Sequence, residues 1–269
     1  MVNVIKADGT RESYNRNKVL DSIKRAGIPE SLNKLLIDEI ERDLYEDVTT
    51  YKIYKHIEDF LGKSDEKYLK GRYSLKQSIM QLGPTGYPFE TYVAEVLKTE
   101  GYKTEVGSVM EGKCVSHEVD VVAEKNNEKL MTECKFHNRP GTKSDIQVAL
   151  YTKARFDDLR EKHGFTKAML VTNTKITKDA LDYAHCEGIR VLGWNYPGGE
   201  SLRDLIEKHK LYPVTVLTSL SLSQKQNLLE AGIVLVKQIC LDKTLVDKGN
   251  IPPNLKGEII KESALICNL

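Results

Sequence analysis

Two carboxylates and a lysine are spaced so that they could hold a divalent cation beside a phosphate ester. Asp120 lies in one short apolar run, and Glu133 and Lys135 lie at the end of the next. Because side chains alternate faces along a strand, Glu133 and Lys135 share one face, while Cys134 points to the opposite, packed side. If the two runs pair antiparallel through the turn between them, Asp120 comes close to the same face. Two carboxylates and an amine would then converge.

A hard cation such as Mg²⁺ or Mn²⁺ takes oxygen ligands, which Asp120, Glu133 and the Cys134 carbonyl would supply. Such an ion polarises a phosphate and lowers the pKa of a bound water. Lys135 would orient that water and stabilise the charge that develops. The pattern therefore indicates phosphodiester hydrolysis.

Glu90 and Gln147 extend this candidate catalytic set. Glu90, on the preceding predicted helix, would contact a water held by the ion, and Gln147, early on the next helix, would hydrogen-bond Lys135 or that water. The alternative is a solvated strand edge, because Glu-x-Lys triplets are frequent in a chain with 29% charged residues. The valines and leucine around the charged residues instead indicate central strands, where an unused charge is costly.

The composition is that of an ordinary globular protein, with 269 residues, 40% of them hydrophobic, and a net charge of +1. That charge is too small to indicate a nucleic-acid partner by bulk electrostatics, so a DNA-binding surface must be local. Five cysteines, odd in number and without a CxxC pair, argue against a disulfide framework or a zinc knuckle. We expect buried, reduced thiols.

Membrane insertion and export are not expected. No apolar run approaches the roughly 20 residues of a spanning helix. The start, Met1 to Thr10, reaches charged residues before the apolar core of a signal peptide could form. We therefore expect a cytoplasmic protein with no membrane partner.

Residues 1–82 are predicted to form a small helical domain with a strand at its front. Residues 2–5 and the turn at Asp8-Gly9 predict a strand and hairpin, and Asn15 is a suitable N-cap for a helix that stops at Gly27. Apolar residues at helical spacing predict three further helices. They cover residues 32–44, residues 53–61 with an end at Gly62, and a stretch from about Glu66 through Tyr73 to Leu82.

Helix-stopping residues mark the first domain boundary, because residues 83–88 contain two prolines and two glycines. Beyond it, strands alternate with helices, which predicts an α/β layered domain with a central mixed sheet over residues 83–210. The predicted helices are 89–100, 144–162, 177–187 and 201–209. The predicted strands are 102–109, 119–123, 130–135, 168–172 and 189–192.

Residues 211–269 form a predicted helical C-terminal region, with apolar helical stretches at 228–239 and 255–266. Ser221-Leu222-Ser223 before residues 224–230, with Gly232 after them, resembles a helix-hairpin-helix binder of the DNA backbone. A capped core helix explains the same residues. Both interpretations stay open.

Several residues of the middle region recur in the order typical of a known nuclease family. They are Glu90 in a Phe-Glu helix, Asp120, Glu133-Cys134-Lys135, Gln147, Leu170-Val171-Thr172-Asn173, Ala180 and Ala184. Over about residues 83–210 the chain resembles the Mrr-type branch of the PD-(D/E)XK restriction-endonuclease superfamily. Many Mrr-type members have Gln where Glu133 stands, and the acidic form found here favours metal binding. The resemblance implies a metal-dependent endodeoxyribonuclease.

The N-terminal region resembles a second family. The residues that carry this resemblance are Val4 to Gly9, Glu12, Asn17, Lys18, Thr50, Ile53, Ile57 and Arg72-Tyr73. Over about residues 1–82 they resemble the ATP-cone, the nucleotide-sensing module of ribonucleotide reductases and their repressors, although Lys6-Ala7 stands where that module has Lys-Arg. The implied cofactor-binding residues are Lys6, Gly9, Glu12, Lys18 and Thr50. No Walker P-loop occurs, so we expect ATP or dATP to be sensed rather than hydrolysed.

The first hypothesis is a DNA endonuclease of the restriction or defence type, regulated by adenine nucleotide and acting as a homo-oligomer. The second is a nucleotide-responsive DNA-binding regulator whose nuclease fold no longer cuts. The third is a nuclease of RNA or branched DNA. An intact set of Asp120, Glu133 and Lys135 favours an enzyme, because a binder does not need it.

Overall fold

The computed structural model describes residues 2–63 and 67–268, and its N-terminal part joins a small mixed sheet to a group of helices. The elements are β1 (Asn3–Ile5), β2 (Arg11–Ser13), α1 (Arg16–Arg25), α2 (Glu30–Arg42), β3 (Val48–Thr49), α3 (Thr50–Lys63), α4 (Lys67–Tyr73) and α5 (Leu75–Met80). β1 pairs antiparallel with β2 and parallel with β3. The predicted cap is present, because the Asn15 side chain accepts the Lys18 N–H at 3.2 Å.

The predicted fourth helix, from about Glu66 to Leu82, is wrong in its continuity. Two helices, α4 and α5, meet at Ser74, and Glu66 itself lies outside the described residues. Leu69 of α4 packs in the core of the N-terminal helices, whereas Leu75 and Ile79 of α5 pack in the core of the following domain. The helix is interrupted at Ser74, between two segments that pack in different cores, which apolar spacing alone did not reveal.

A five-stranded mixed sheet forms the centre of the middle part. Its elements are α6 (Tyr87–Thr99), β4 (Lys103–Glu111), β5 (Ser116–Lys125), β6 (Glu128–Lys135), β7 (Lys143–Ser144), α7 (Ile146–His163), β8 (Lys167–Thr172), β9 (Lys175–Ile176), α8 (Lys178–Cys186), β10 (Arg190–Leu192) and α9 (Leu202–His209). The strand order is β10-β8-β6-β5-β4, with β4, β5 and β6 antiparallel and β6, β8 and β10 parallel. The predicted mixed sheet is confirmed. The short parallel pair of β7 and β9 was not predicted.

Helices cover both faces of this sheet. Phe89 and Val93 of α6 pack on one face, in a core that continues to Ile266 near the C-terminus. Phe156 and Leu159 of α7 pack on the other face, with α8.

The C-terminal part covers the α6 side of the sheet. It contains 3₁₀ helices at Val214–Val216 and Lys243–Gly249 and the α-helices α10 (Leu222–Glu230), α11 (Val236–Leu241) and α12 (Pro253–Asn268). The single predicted stretch 228–239 is wrong, because Gly232, at φ +75°, lies between α10 and α11. Ser221 and Gln224 form a capping box, and Leu228 is buried, so the capped core helix explains these residues. Among the described helices, none is long and apolar enough to cross a membrane.

The expectation of five buried, reduced thiols is wrong. Cys240 of α11 and Cys267 of α12 form a disulfide, and Cys114 and Cys186 are exposed. Only Cys134 is both free and buried among the described residues. The two bonded cysteines are 27 residues apart and meet because α11 packs on α12, a proximity that their spacing does not indicate.

Candidate nuclease and nucleotide sites

Strands β5 and β6 separate where the two candidate metal-binding carboxylates lie. Their antiparallel pairing ends at Val121 and Thr132, and the next pair in that register would be Asp120 with Glu133. Beyond this point β5 stays beside β4, and β6 stays beside β8. Oδ2 of Asp120 instead accepts the backbone N–H of Cys134 at 2.7 Å. The separation opens a notch between two central strands, which we call the β5–β6 notch.

Cys134 presents its backbone to the notch and its thiol to the core. The N–H and C=O of one strand residue point to the same side, so the Cys134 carbonyl faces the notch together with the N–H that binds Asp120. The thiol is buried in the core that contains Phe89. Burial raises the pKa of this thiol well above its usual value, so it stays protonated and only the carbonyl is available as a ligand.

Three carboxylates share the notch. Burial, followed by the charge of Asp120, raises the pKa of Glu90 on α6 to about 7. The same two causes raise the pKa of Glu133 to about 7. Burial also raises the pKa of Asp120, although the hydrogen bond from Cys134 opposes that rise. Like charges in a poorly solvated site disfavour joint ionisation, so the notch favours protons or an added cation.

Arg155 of α7 is the site residue that sequence reasoning missed. Its guanidinium forms a buried ion pair with Oε2 of Glu133, and it lies 5.2 Å from the ring centroid of Tyr151. Thr152, Arg155 and Leu159 are all buried on one helical face. An arginine at that spacing on a buried face was the available signal, because a buried charge requires a partner. Arg155 therefore acts as the internal counter-ion of Glu133.

The other two predicted catalytic residues lie differently. Lys135 ends β6 with its side chain exposed, and its charge lowers the pKa values of both Asp120 and Glu133, in opposition to burial. Gln147 is exposed at the start of α7, and its backbone N–H donates to Asp145 at 3.1 Å. Within residues 2–63 and 67–268 its side chain makes no hydrogen bond to Lys135. The structure brings Glu90, Asp120, Glu133 and Lys135 together, but not the Gln147 side chain.

The notch is suited to a divalent cation without being a preformed cage. In the described part of the chain, no three His, Cys, Asp or Glu side chains form a group that could hold a metal ion. Mg²⁺ requires only one or two protein carboxylates, because retained waters complete its coordination. Asp120 and Glu133 are two such carboxylates, and the Cys134 carbonyl is a third oxygen donor. A cation there would also stabilise the ionised forms of carboxylates whose pKa values are raised.

The candidate nucleotide residues lie at one end of the N-terminal part. Glu12, Lys18 and Thr50 line a cavity of about 190 Å³. Glu12 pairs with Lys6 at 2.6 Å and with Lys18 at 3.0 Å, and hydrogen bonds from Lys6 and then Lys18 lower its pKa. Gly9 lies in the β1–β2 turn at φ +79°, a conformation that glycine adopts readily, and does not line this cavity. Lys6 does not line this cavity either, but Glu12 pairs with both lysines, and a phosphate could replace Glu12 as their partner.

Three parts of the chain match known protein families. Residues 2–78 match the ATP cone domain, residues 83–194 match the Mrr-type restriction endonuclease domain, and residues 212–267 match the domain described as AF1548-like, C-terminal. Both resemblances inferred from the sequence are confirmed. The matches support a nuclease fold joined to a nucleotide-binding regulatory domain.

A solved structure extends this likeness over most of the chain. The crystal structure described as that of the protein of unknown function AF1548 is 35% identical with a TM-score of 0.61, and the match covers 69% of this chain and 100% of that one. This chain belongs to the AF1548 family. An uncharacterized protein of Archaeoglobus fulgidus is 42% identical over 147 residues, which are 55% of this chain and 83% of that protein.

The raised pKa values predict how pH affects this AF1548-family protein without metal. For Glu90 and Glu133 the folded-state pKa is about 7, above the ordinary value of 4.5, so between these values the folded state binds more protons than the unfolded state. The free energy of unfolding should therefore fall as the pH rises from about 5 to about 7.5, by at most about 1.4 kcal/mol per pH unit for each group. Denaturant titrations at several pH values measure this slope.

Two glutamine variants show whether the pH dependence comes from the notch or from carboxylates on the surface. Glu133→Gln should flatten the slope, because an amide does not ionise. Glu124→Gln, at an exposed position on β5, should leave it unchanged. An identical slope in wild type and Glu133→Gln would show that the Glu133 pKa is not raised.

Proposed function

We propose that this protein is a Mg²⁺- or Mn²⁺-dependent DNA endonuclease of the restriction or defence type, whose cutting responds to ATP or dATP at the cone. The observation that supports this most is the β5–β6 notch, where Glu90, Asp120 and Glu133 converge beside Lys135. A fold alone does not imply an activity. These four side chains support an enzyme, because a domain that only binds DNA does not need them.

We assign the ion to Asp120, Glu133 and the carbonyl of Cys134. When bound, a divalent ion polarises the scissile phosphate and increases the acidity of a water. The Cys134 N–H keeps the Asp120 carboxylate at the mouth of the notch. Arg155 holds one oxygen of Glu133 and leaves the other for the ion. Buried ion pairs fix geometry in this way when their remaining lone pairs are used.

We assign Lys135, Glu90 and Gln147 to positioning the attacking water, to proton transfer and to stabilising the charge that develops on the phosphate. The Lys135 ammonium orients the attacking water and stabilises the negative charge that develops on the phosphate. Glu90, with its pKa raised to about 7, accepts a hydrogen bond from a water and can take up a proton near neutral pH. Gln147 is exposed, and we assign it a hydrogen bond to Lys135 or to the water once DNA covers the site.

We divide the chain into a nucleotide-sensing domain (1–82), a nuclease domain (83–210) and a C-terminal region (211–269). The C-terminal region shares one hydrophobic core with α6, which supports a role in the rigidity of the nuclease domain. We propose DNA, an adenine nucleotide and a second copy of the chain as partners, and the cytoplasm as the location.

The ion pair between Arg155 and Glu133 favours a second candidate function. It occupies a carboxylate that the enzyme needs for its metal, and no ready three-residue metal group exists among the described residues. A nucleotide-responsive DNA-binding regulator with a non-cleaving nuclease fold could keep a notch in which Glu133 is already paired with Arg155. The two candidates differ in whether metal binds at all.

Replacing the notch residues tests the catalytic assignment. Asp120→Ala, Glu133→Ala and Lys135→Ala should each lower the cleavage rate by roughly 100-fold or more, because each removes a group that stabilises the transition state. The two carboxylate variants should also lose bound Mg²⁺ in calorimetry, whereas Lys135→Ala should retain much of it. Glu124→Ala and Lys129→Ala, on the same two strands, are the matched controls. Full activity in a folded notch variant would refute the assignment.

Nucleotide binding at the cone is tested by thermal stability. ATP or dATP should raise the melting temperature, because a ligand that binds only the folded state adds about 2.7 kcal/mol at a concentration 100 times its Kd. Adenosine should not. Lys6→Ala combined with Lys18→Ala should abolish the shift and leave the Mg²⁺ affinity of the notch unchanged. Lys24→Ala combined with Lys34→Ala, at exposed positions, is the control.

Regulation requires that nucleotide favours one arrangement of domains or subunits over another. The cleavage rate, or the mass of the oligomer, should therefore change across a nucleotide titration. A flat response in both, with binding demonstrated, would leave the cone as a stabilising module and refute the regulatory role.

A further inference from the structure

A second cavity lies between the cone and the rest of the molecule. It has a volume of about 200 Å³ and is walled by α1, α3, the α4–α5 segment, the loop at Trp194 and α9. Ser22, Tyr54 and Tyr73 form a wall that it shares with the nucleotide cavity. Tyr54 and Tyr73 are stacked there at 5.4 Å. We call this second space the junction cavity.

Cations outnumber carboxylates in the junction cavity. Four cations line it, against one carboxylate, Glu207. The cations are Arg25, Arg72, Lys76 and Arg203. Three of them act on Glu207 electrostatically, although burial is the main influence and raises its pKa. Within the described residues none of the four lies within 4 Å of Glu207, and only Arg203 has a carboxylate partner, Asp204 at 3.3 Å. The cavity therefore holds an excess of positive charge.

One of these cations has an unused donor, and another is enclosed without a carboxylate partner in the described part of the chain. The Nε of Arg203 is buried without a hydrogen-bond partner. Lys76 is enclosed at the junction, where it donates to the carbonyl of Asn173 and lies 4.4 Å from the ring centroid of Trp194. Burial, followed by the charge of Lys175, lowers the pKa of Lys76 to about 7. A buried cation without an anion is costly, and an anion in the cavity would remove that cost.

We propose that the junction cavity is an anion site, separate from the nucleotide cavity, that binds a phosphoryl group of a small molecule such as pyrophosphate or a free nucleotide. Guanidinium groups match phosphoryl oxygens in pairs, and an ammonium adds a point charge. The volume is below the roughly 300–1,000 Å³ of pockets for drug-sized ligands, which suits a compact anion. The proposal is independent of the nuclease activity.

An anion at this position would contact both sides of the junction. Arg25 and Arg72 belong to the cone helices, and Arg203 belongs to α9. Lys76 contacts Asn173, whose side chain accepts the N–H of His137 at 2.9 Å and donates to its carbonyl at 2.8 Å. His137 follows Lys135 by two residues. An anion bound in the junction cavity would therefore restrict the movement of the residues that connect the cone to the end of β6.

Pyrophosphate titrations of the full chain test this site. Pyrophosphate, at ionic strength held constant with sodium chloride, should bind wild type in calorimetry and raise its melting temperature. Arg203→Gln should weaken binding at least tenfold, and Lys76→Met should do the same without touching α9. Arg203→Lys should recover part of the affinity. Lys208→Gln, on the exposed side of α9, is the matched control.

The cone double variant Lys6→Ala with Lys18→Ala decides between the two cavities. It should retain pyrophosphate binding, and loss of binding there would overturn the proposal. Loss already in the single variant Lys18→Ala, at a residue that lines the nucleotide cavity and not the junction cavity, would place the anion in the nucleotide cavity. Wild-type affinity in folded Arg203→Gln and Lys76→Met would also overturn it. In the double variant, displacement of pyrophosphate by ATP would identify nucleotide phosphates as the ligand, and no displacement would identify a free inorganic anion. Both results support the site.

Discussion

The burial of like-charged carboxylates at the β5–β6 notch is the constraint on which the rest of the site depends. A sheet covered on both faces offers little water to Glu90 and Glu133, and their pKa values rise to about 7. The protein offsets this cost with the Cys134 N–H on Asp120 and with Arg155 on Glu133. Neither partner neutralises all three carboxylates. This remaining charge is the physical basis for the proposal that a divalent cation binds in the notch.

The sequence was sufficient to place the strands that carry the notch, because apolar residues of buried strands are easily recognised and Asp120 and Glu133 interrupt them. The turn between the two strands made their antiparallel pairing a hypothesis, and β5 and β6 do pair in that way as far as Val121 and Thr132. The spacing of apolar residues on α7 offered a signal for a buried Arg155, but it could not identify the partner, Glu133, which is 22 residues away and is set by how α7 packs on the sheet. The break at Ser74 and the Cys240–Cys267 bond escaped prediction for the same reason, since both follow from packing between elements that local spacing does not encode.

The cone and the nuclease domain meet through polar contacts and through α5, whose Leu75 and Ile79 pack in the core of the nuclease domain. The helices of the cone bury their own cluster around Ile23 and Leu36, and Lys76 joins them to Asn173 and Trp194. Asp8 adds contacts to Lys143 at 4.0 Å and to Lys175 at 3.9 Å. Polar junctions of this kind can rearrange at modest cost. The proposed response to nucleotide would require these polar contacts to rearrange while α5 stays packed on the nuclease domain.

The central claim, that the notch cuts DNA with a divalent metal, is tested most directly by incubating the pure full-length protein with supercoiled plasmid, linear DNA, branched DNA and RNA. The account predicts nicking of DNA in Mg²⁺ or Mn²⁺, none in EDTA, and a rate that changes with ATP or dATP. Cleavage confined to branched DNA or to RNA would show that this is the substrate and that the proposed substrate is wrong. Folded protein that binds DNA but cuts none of these substrates, at any metal or nucleotide concentration, would contradict the account and favour the non-cleaving regulator.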